Sequence, residues 1–114
     1  DPVVLVVVDN CGITKEIRSK LAQRISEFGV SKKNLIVSAT HTHNAPSLRG
    51  YAPILWAGRT SPEQEKRIDK YTSLLIDKME SIVIEALKNQ ELMKLSWSRG
   101  AVRFGGNRRV IRNG

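Results

Sequence analysis

The sequence predicts an α/β fold: strand-helix-strand units carrying a largely parallel sheet, as part of a larger domain. Three observations lead there. Residues 2–9, "PVVLVVVD", form a short unbroken β-branched run, the signature of a strand buried on both faces as in parallel sheets. Residues 13–28 set Ile13, Ile17, Leu21, Ile25 and Phe28 at helical spacings with Lys, Arg and Glu between them, so one face of a helix is apolar. Residues 34–40, "NLIVSAT", make a second strand, and a crossover of that length implies parallel, right-handed pairing.

Each element has its own warrant. "NCG" at residues 10–12 breaks the first strand, and Gly29 suits a left-handed cap on the first helix, with Val30 packing back on its last turn. Residues 44–60 hold Pro46, Gly50, Pro53 and Gly58, which argue for irregular backbone. They also hold Leu48, Tyr51, Ile54, Leu55 and Trp56, more apolar surface than a solvated linker keeps, so an ordered covering loop is expected. "SPEQ" then starts a helix: Ser61 is the N-cap, Pro62 takes the first position and Gln64 closes a capping box. This helix is expected to reach about Asn89, with Ile68, Tyr71, Leu75, Ile82 and Ala86 facing inward. Residues 92–98, "LMKLSWS", read as a third strand, followed by a Gly- and Arg-rich loop. The order β-α-β-loop-α-β carries no repeat and no second domain, so residues 1–114 read as a single partial domain, a piece of a longer protein.

Composition narrows the partners. Nineteen Lys and Arg against eleven Asp and Glu give a net charge of +8, which favours an anionic partner such as phosphate, nucleic acid or an acidic membrane surface. A nucleic-acid module would interleave its basic residues with exposed aromatics; here only Trp97 and Phe104 lie near the basic tail, so nucleic acid is not the expected partner. The single cysteine, Cys11, excludes an internal disulfide framework, cannot build a thiolate metal site alone, and reads as a small buried residue. No run approaches the length of a membrane helix, and no signal peptide is visible.

The chemistry concentrates at one place. In open parallel sheets ligands bind beyond the carboxyl ends of the strands. Asp9 ends the first strand and His41 the second, so parallel pairing brings both to one edge, and the third strand would deliver the Arg-rich loop there as well. Both histidines of the chain, His41 and His43, stand one residue apart in "SATHTHNAP". On an extended backbone such a pair leaves the same face. One imidazole can then hold Zn²⁺ while the other contacts substrate or a metal-bound water, with Thr40 and Thr42 hydroxyls in support. The plainer alternative is two polar residues at a strand end. Asp9 could orient an imidazole, coordinate metal or cap the following turn. Arg99, Arg103, Arg108, Arg109 and Arg112, with no acid among them, suit a carboxylate or phosphate, or form a solvated cationic loop.

At "ATHTHNAP" the chain resembles the neutral/alkaline, non-lysosomal ceramidase family in its amino-terminal catalytic domain. The family hallmark reads Thr-His-Thr-His-Ser-Gly-Pro-Gly-Gly at a strand end, and Thr40, His41, Thr42, His43 and Pro46 match it. "VVVDNCGI" with its following helix, the long helix ending in "EALKNQELMKLSWSRG", and an Asn-Arg pair at Asn107 and Arg108 extend the likeness over most of the chain. Asn44 and Ala45 replace the hallmark's Ser-Gly, and Ser47 and Leu48 its Gly-Gly, which gives the loop after the histidines another shape.

The resemblance implies a zinc-dependent amidase that hydrolyses ceramide, or a related lipid amide, to a sphingoid base and a fatty acid. It implies that His41 is a zinc ligand and that His43 contacts the substrate and stabilises the tetrahedral intermediate. Asn107 and Arg108 would bind substrate, Arg108 lining the catalytic centre. The family's other zinc ligands, a His, a Glu and a Tyr, lie further along than residue 114, so this stretch alone would be inactive. A substrate met at a membrane surface and a secreted, periplasmic or cell-surface location are implied with it. Two alternatives stand beside this reading. One is a barrel-type metal-dependent amidohydrolase, whose first strand also ends in His-x-His. The other is a non-enzymatic anion- or nucleic-acid-binding module driven by the +8 charge.

Overall fold

The chain was analysed as a computed structural model, which describes residues 1–56 and 58–105. Strands β1 (Val4–Val8) and β2 (Leu35–Ala39) pair in parallel, from Val4 opposite Leu35 to Val8 opposite Ala39. Both therefore end at the same edge, as the strand-helix-strand pattern predicts. Between them runs helix α1 (Lys15–Ile25), which starts where the Thr14 hydroxyl accepts the Ile17 N–H at 3.3 Å. Its spacing of four places Ile17, Leu21 and Ile25 in the core with Ala22. The α-helical hydrogen bonding stops earlier than the apolar spacing suggests. The chain tightens into a 3₁₀ turn at Ser26–Phe28, and the change to three residues per turn carries Phe28 off the buried face into solvent. Gly29 closes this turn at φ 82°, the left-handed conformation expected of it, and Val30 is buried behind it. The Arg18 guanidinium then donates to the carbonyls of Lys32 and Leu35, at 2.9 and 2.8 Å, tying the returning chain to the helix.

The described residues of the loop 44–60 pack against the domain in part. The loop contains a single helical turn, α2 (Pro53–Trp56), and sends Leu48 into the core, while Ile54 stands in solvent. Helix α3 (Pro62–Lys88) begins at the predicted capping box, with Gln64 N–H donating to Ser61 Oγ at 3.2 Å and Ser61 N–H to Gln64 Oε1 at 2.7 Å. Its buried stripe is Thr72, Ile76, Met79 and Val83. Ile68, Tyr71 and Leu75 flank the stripe half-buried, whereas Ile82 and Ala86, expected inside, are exposed. The apolar face of α3 is wider than its contact with α1 and β1, and the contact follows one margin of it. Ile82 lies about 100° around the helix from Val83 and misses it. Arg24 of α1 clamps the two helices by reaching Asp77 at 2.6 Å and Glu80 at 2.9 Å.

Two further expectations are corrected. β1 is buried on one face only: Val6 and Val8 point into the core, but Val3, Leu5 and Val7 are 59–69% exposed. The reason is that α1 and α3 pack against the same side of the sheet, through Val6, Val8 and Leu35, and leave the other side bare. Residues 92–98 form no strand. Met93, Leu95 and Trp97 alternate as a strand would, yet among the described residues this segment pairs with neither β1 nor β2, and its apolar side chains are exposed. Alternation stabilises a strand only where a partner accepts its backbone groups. Among the described residues no third strand thus carries Arg99 and Arg103 to the sheet edge, and both are exposed.

Candidate metal centre

The carboxyl edge of the two-stranded sheet builds the site. Beyond the last ladder pair the strands stay in register for a few more atoms: Thr40 N–H donates to Val8 O and His41 N–H to Asn10 O, both at 3.0 Å. His41 is not extended, as the His-x-His reading supposed. Its φ is 63°, in the left-handed region that His tolerates better than most side chains. Two contacts hold it there, the backbone bond to Asn10 and a hydrogen bond from its Nδ1–H to the Cys11 carbonyl at 2.7 Å. A carbonyl oxygen only accepts, so Nδ1 is the donor, and in a neutral ring the lone pair is then on Nε2. That is the arrangement in which an imidazole serves a metal through one nitrogen and is oriented through the other.

The bend brings His43 back beside His41. The ring centroids are 5.2 Å apart and the planes are inclined at 75°, an edge-to-face pair. Cys11, from the turn after β1, completes the group, with its Sγ 3.9 Å from His41 Nδ1. One ligating atom from each of Cys11, His41 and His43 lies within 4.8 Å of the others, close enough to hold a metal ion. The fit is chemically sound: two neutral imidazoles and a thiolate are the donors a borderline-soft divalent cation prefers.

Three residues that the sequence did not single out for the site position it. Asn10 is buried; its Nδ2 donates to Pro46 O at 3.0 Å and its Oδ1 accepts Gly12 N–H at 3.5 Å, fastening the Cys11 turn to the loop behind His43. Tyr51 lays its ring on Gly12 and its hydroxyl against Cys11, 3.2 Å from Sγ and 3.3 Å from the carbonyl oxygen. That hydrogen bond to the sulfur, followed by desolvation and the repulsion of a thiolate, raises the Tyr51 phenol above its ordinary pKa. Gly12 permits this packing, since a Cβ there would stand 2.3 Å from Tyr51 Cε2. Cys11 is half-buried at the site rather than a core residue.

A cleft of about 450 Å³ opens beside these groups, lined by Asn10, Cys11, His41, His43, Pro46, Tyr51, Leu55 and Trp56 among others. The remaining sequence candidates take lesser places. Thr42 accepts the Asn44 N–H on its hydroxyl at 3.2 Å, which shapes the loop, and Thr40 is exposed and contributes its backbone N–H. Asp9 points to the exposed side of β1, opposite Val8 and Asn10, and makes no hydrogen bond or ion pair among the described residues. It neither orients an imidazole nor caps the turn. Asn107 and Arg108, with Arg109 and Arg112, lie outside the described residues. No helix among the described residues is long and apolar enough to cross a membrane. Comparison of the chain with protein-family models, with curated proteins and with solved structures finds no match.

Proposed function

We propose that this chain supplies part of the catalytic centre of a zinc-dependent amidase, acting on ceramide or a related lipid amide. One observation supports the reading above the others: His41 is held in left-handed backbone with its Nδ1–H fixed on the Cys11 carbonyl, which leaves Nε2 as the nitrogen available to a cation, in a ring that stands beside His43 and lines the cleft. Strained backbone at a polar residue is a feature of functional sites. The Thr-His-Thr-His stretch that resembles the ceramidase hallmark is the segment so held.

In this reading His41 holds the cation through Nε2. A bound zinc ion supplies Lewis acidity, polarising an amide carbonyl and acidifying water. His43, 5.2 Å away between ring centroids, faces the substrate and donates a ring N–H to the oxygen on which charge develops. Such a donor is worth roughly 3–4 kcal/mol of barrier when preorganised. Leu55, Trp56 and Pro46 line the cleft with apolar surface on which an acyl chain can lie. Further zinc ligands, and Asn107 and Arg108 as substrate contacts, belong to the proposal through the resemblance. So does action at the surface of a membrane by a secreted, periplasmic or cell-surface protein.

The test is zinc analysis of the purified protein together with fatty-acid release from a short-chain ceramide. His41→Ala should lose both zinc and activity. His43→Gln should keep zinc and lose about 10²–10³ in kcat, the effect of removing one donor to a developing oxyanion. Full zinc content and full activity in His41→Ala would refute the proposal.

A further inference from the structure

We infer that Cys11 is a sulfur ligand of the cation that His41 holds, with His43 facing the position left open; the inference rests on the metal-site reading above and extends it to a residue outside the histidine pair. Three independent features converge on the thiol. One ligating atom from each of Cys11, His41 and His43 lies within 4.8 Å of the others. A tetrahedral ion bonded to sulfur at ~2.3 Å and to nitrogen at ~2.0–2.1 Å needs its ligand atoms roughly 3.3–3.6 Å apart. Side-chain rotation from the 4.8 Å within which the three ligating atoms now lie closes the difference, and the two exposed imidazoles and the half-buried thiol have room to make it.

The second feature is that Cys11 already has the surroundings of a ligand. Tyr51 gives the sulfur an outer hydrogen-bond partner at 3.2 Å, and metal ligands characteristically carry such partners. The third is preorganisation. The same residue whose carbonyl orients His41 presents the sulfur beside it, and the buried Asn10 fastens this turn to the loop after His43. The cation would thus be held from both strand ends at once, by a sulfur from the β1 end and an imidazole from the β2 end. A nitrogen–sulfur pair selects a borderline-soft divalent ion such as Zn²⁺ over Mg²⁺ or Ca²⁺, which take oxygen ligands. Binding releases the thiol proton to solvent, since the thiolate is the ligating form.

Cobalt(II) is the probe. Titrated into the reduced purified chain, it should produce the near-ultraviolet sulfur-to-cobalt charge-transfer band, and with one cysteine in the chain that band reports Cys11 alone. Cys11→Ser should bind cobalt without the band and at least about tenfold more weakly, the smallest loss expected when even an outer partner is removed. A second readout needs no variant: excess zinc should protect Cys11 of the wild-type chain from alkylation. Absence of the band at saturating cobalt, or alkylation as fast with zinc as without it, overturns the inference. Neither result touches the hydrolase reading, which stands or falls on zinc content and amide cleavage in His41→Ala.

Discussion

Gly12→Ala isolates the packing that sets the thiol in place. Gly12 does not adopt left-handed backbone, so an alanine there meets no conformational penalty of its own. What it meets is Tyr51: the new Cβ would lie 2.3 Å from Cε2 and 3.1 Å from Cζ. Carbon atoms settle at about 3.5 Å or more, so the ring must retreat by roughly 1.2 Å. Its hydroxyl sits 3.2 Å from Sγ and 3.3 Å from the Cys11 carbonyl, and a retreat of that size carries it beyond hydrogen-bond range of both. The lost hydrogen bond costs about 1 kcal/mol and the overpacking about 1–3 kcal/mol, a total of roughly 2–4 kcal/mol. Urea unfolding measures it, and the alkylation rate of Cys11 should change in the same variant because its hydroxyl partner has left. The control is the same substitution in a Tyr51→Ala background, where the space is open and Gly12→Ala should cost less than about 0.5 kcal/mol. An equal cost in both backgrounds would show that glycine is needed there for another reason, and the account of Tyr51 as the brace of Cys11 would fail.

Other expectations follow from the same geometry. Leu21 is fully buried, so Leu21→Ala should lose about 2–5 kcal/mol in urea unfolding, while Leu74→Ala on the half-exposed side of α3 should lose under about 1 kcal/mol; similar losses would mean the core is misassigned. At His41 the glycine variant should be more stable than the alanine variant by about 1 kcal/mol, because both lose the imidazole and only alanine keeps a Cβ in left-handed backbone; thermal unfolding of the two decides it. Arg49 bridges the loop to α3 by pairing with Glu65 and with Asp69, and the Thr60 hydroxyl and Arg49 hold Glu65, as Arg49 holds Asp69, below the ordinary carboxylate range. Depressed native pKa values mean stability that is fully present above the unfolded value of about 4 and is lost as pH falls through the native ones. Arg49→Gln should therefore flatten the acid limb of Tm against pH, and an unchanged acid limb would remove that contribution.

Local rules read much of this fold from the sequence, and contacts they do not encode account for the departures. The capping box at Ser61 and Gln64, the left-handed Gly29 and the apolar spacing of Ile17, Leu21 and Ile25 depend on a few neighbouring residues, so their physics is complete within a short window. Which margin of α3 is buried is set by the angle at which it crosses α1 and β1, and no property of residues 62–88 alone distinguishes Val83 from Ile82 as the inward one. The same holds for β1. Its β-branched run is compatible with burial on both faces, but both helices chose one side, so Leu5 and Val7 remain outside. Residues 92–98 carry the alternation of a strand without a strand to pair with among the described residues, and pairing is a property of two segments rather than one.

The site shows the same division more sharply. Parallel pairing suffices to bring the ends of β1 and β2 to one edge, and that much is legible in "PVVLVVVD" and "NLIVSAT". An extended His-x-His would set residues two apart along a strand about 6.6–6.8 Å from one another, both on one face. The observed chain does something different: His41 leaves extended backbone at φ 63°, and the two rings meet edge to face with centroids 5.2 Å apart. The turn exists because Asn10 and Cys11 offer their carbonyls to the His41 N–H and Nδ1–H. "NCG" is therefore more than the break after a strand. It supplies the two acceptors that bend His41, the thiol beside it and, at Gly12, the gap that Tyr51 fills. A cysteine thirty residues from a histidine gains chemical meaning only through that bend. Any substitution that lets His41 return to extended backbone should separate sulfur from imidazole, even with both side chains intact.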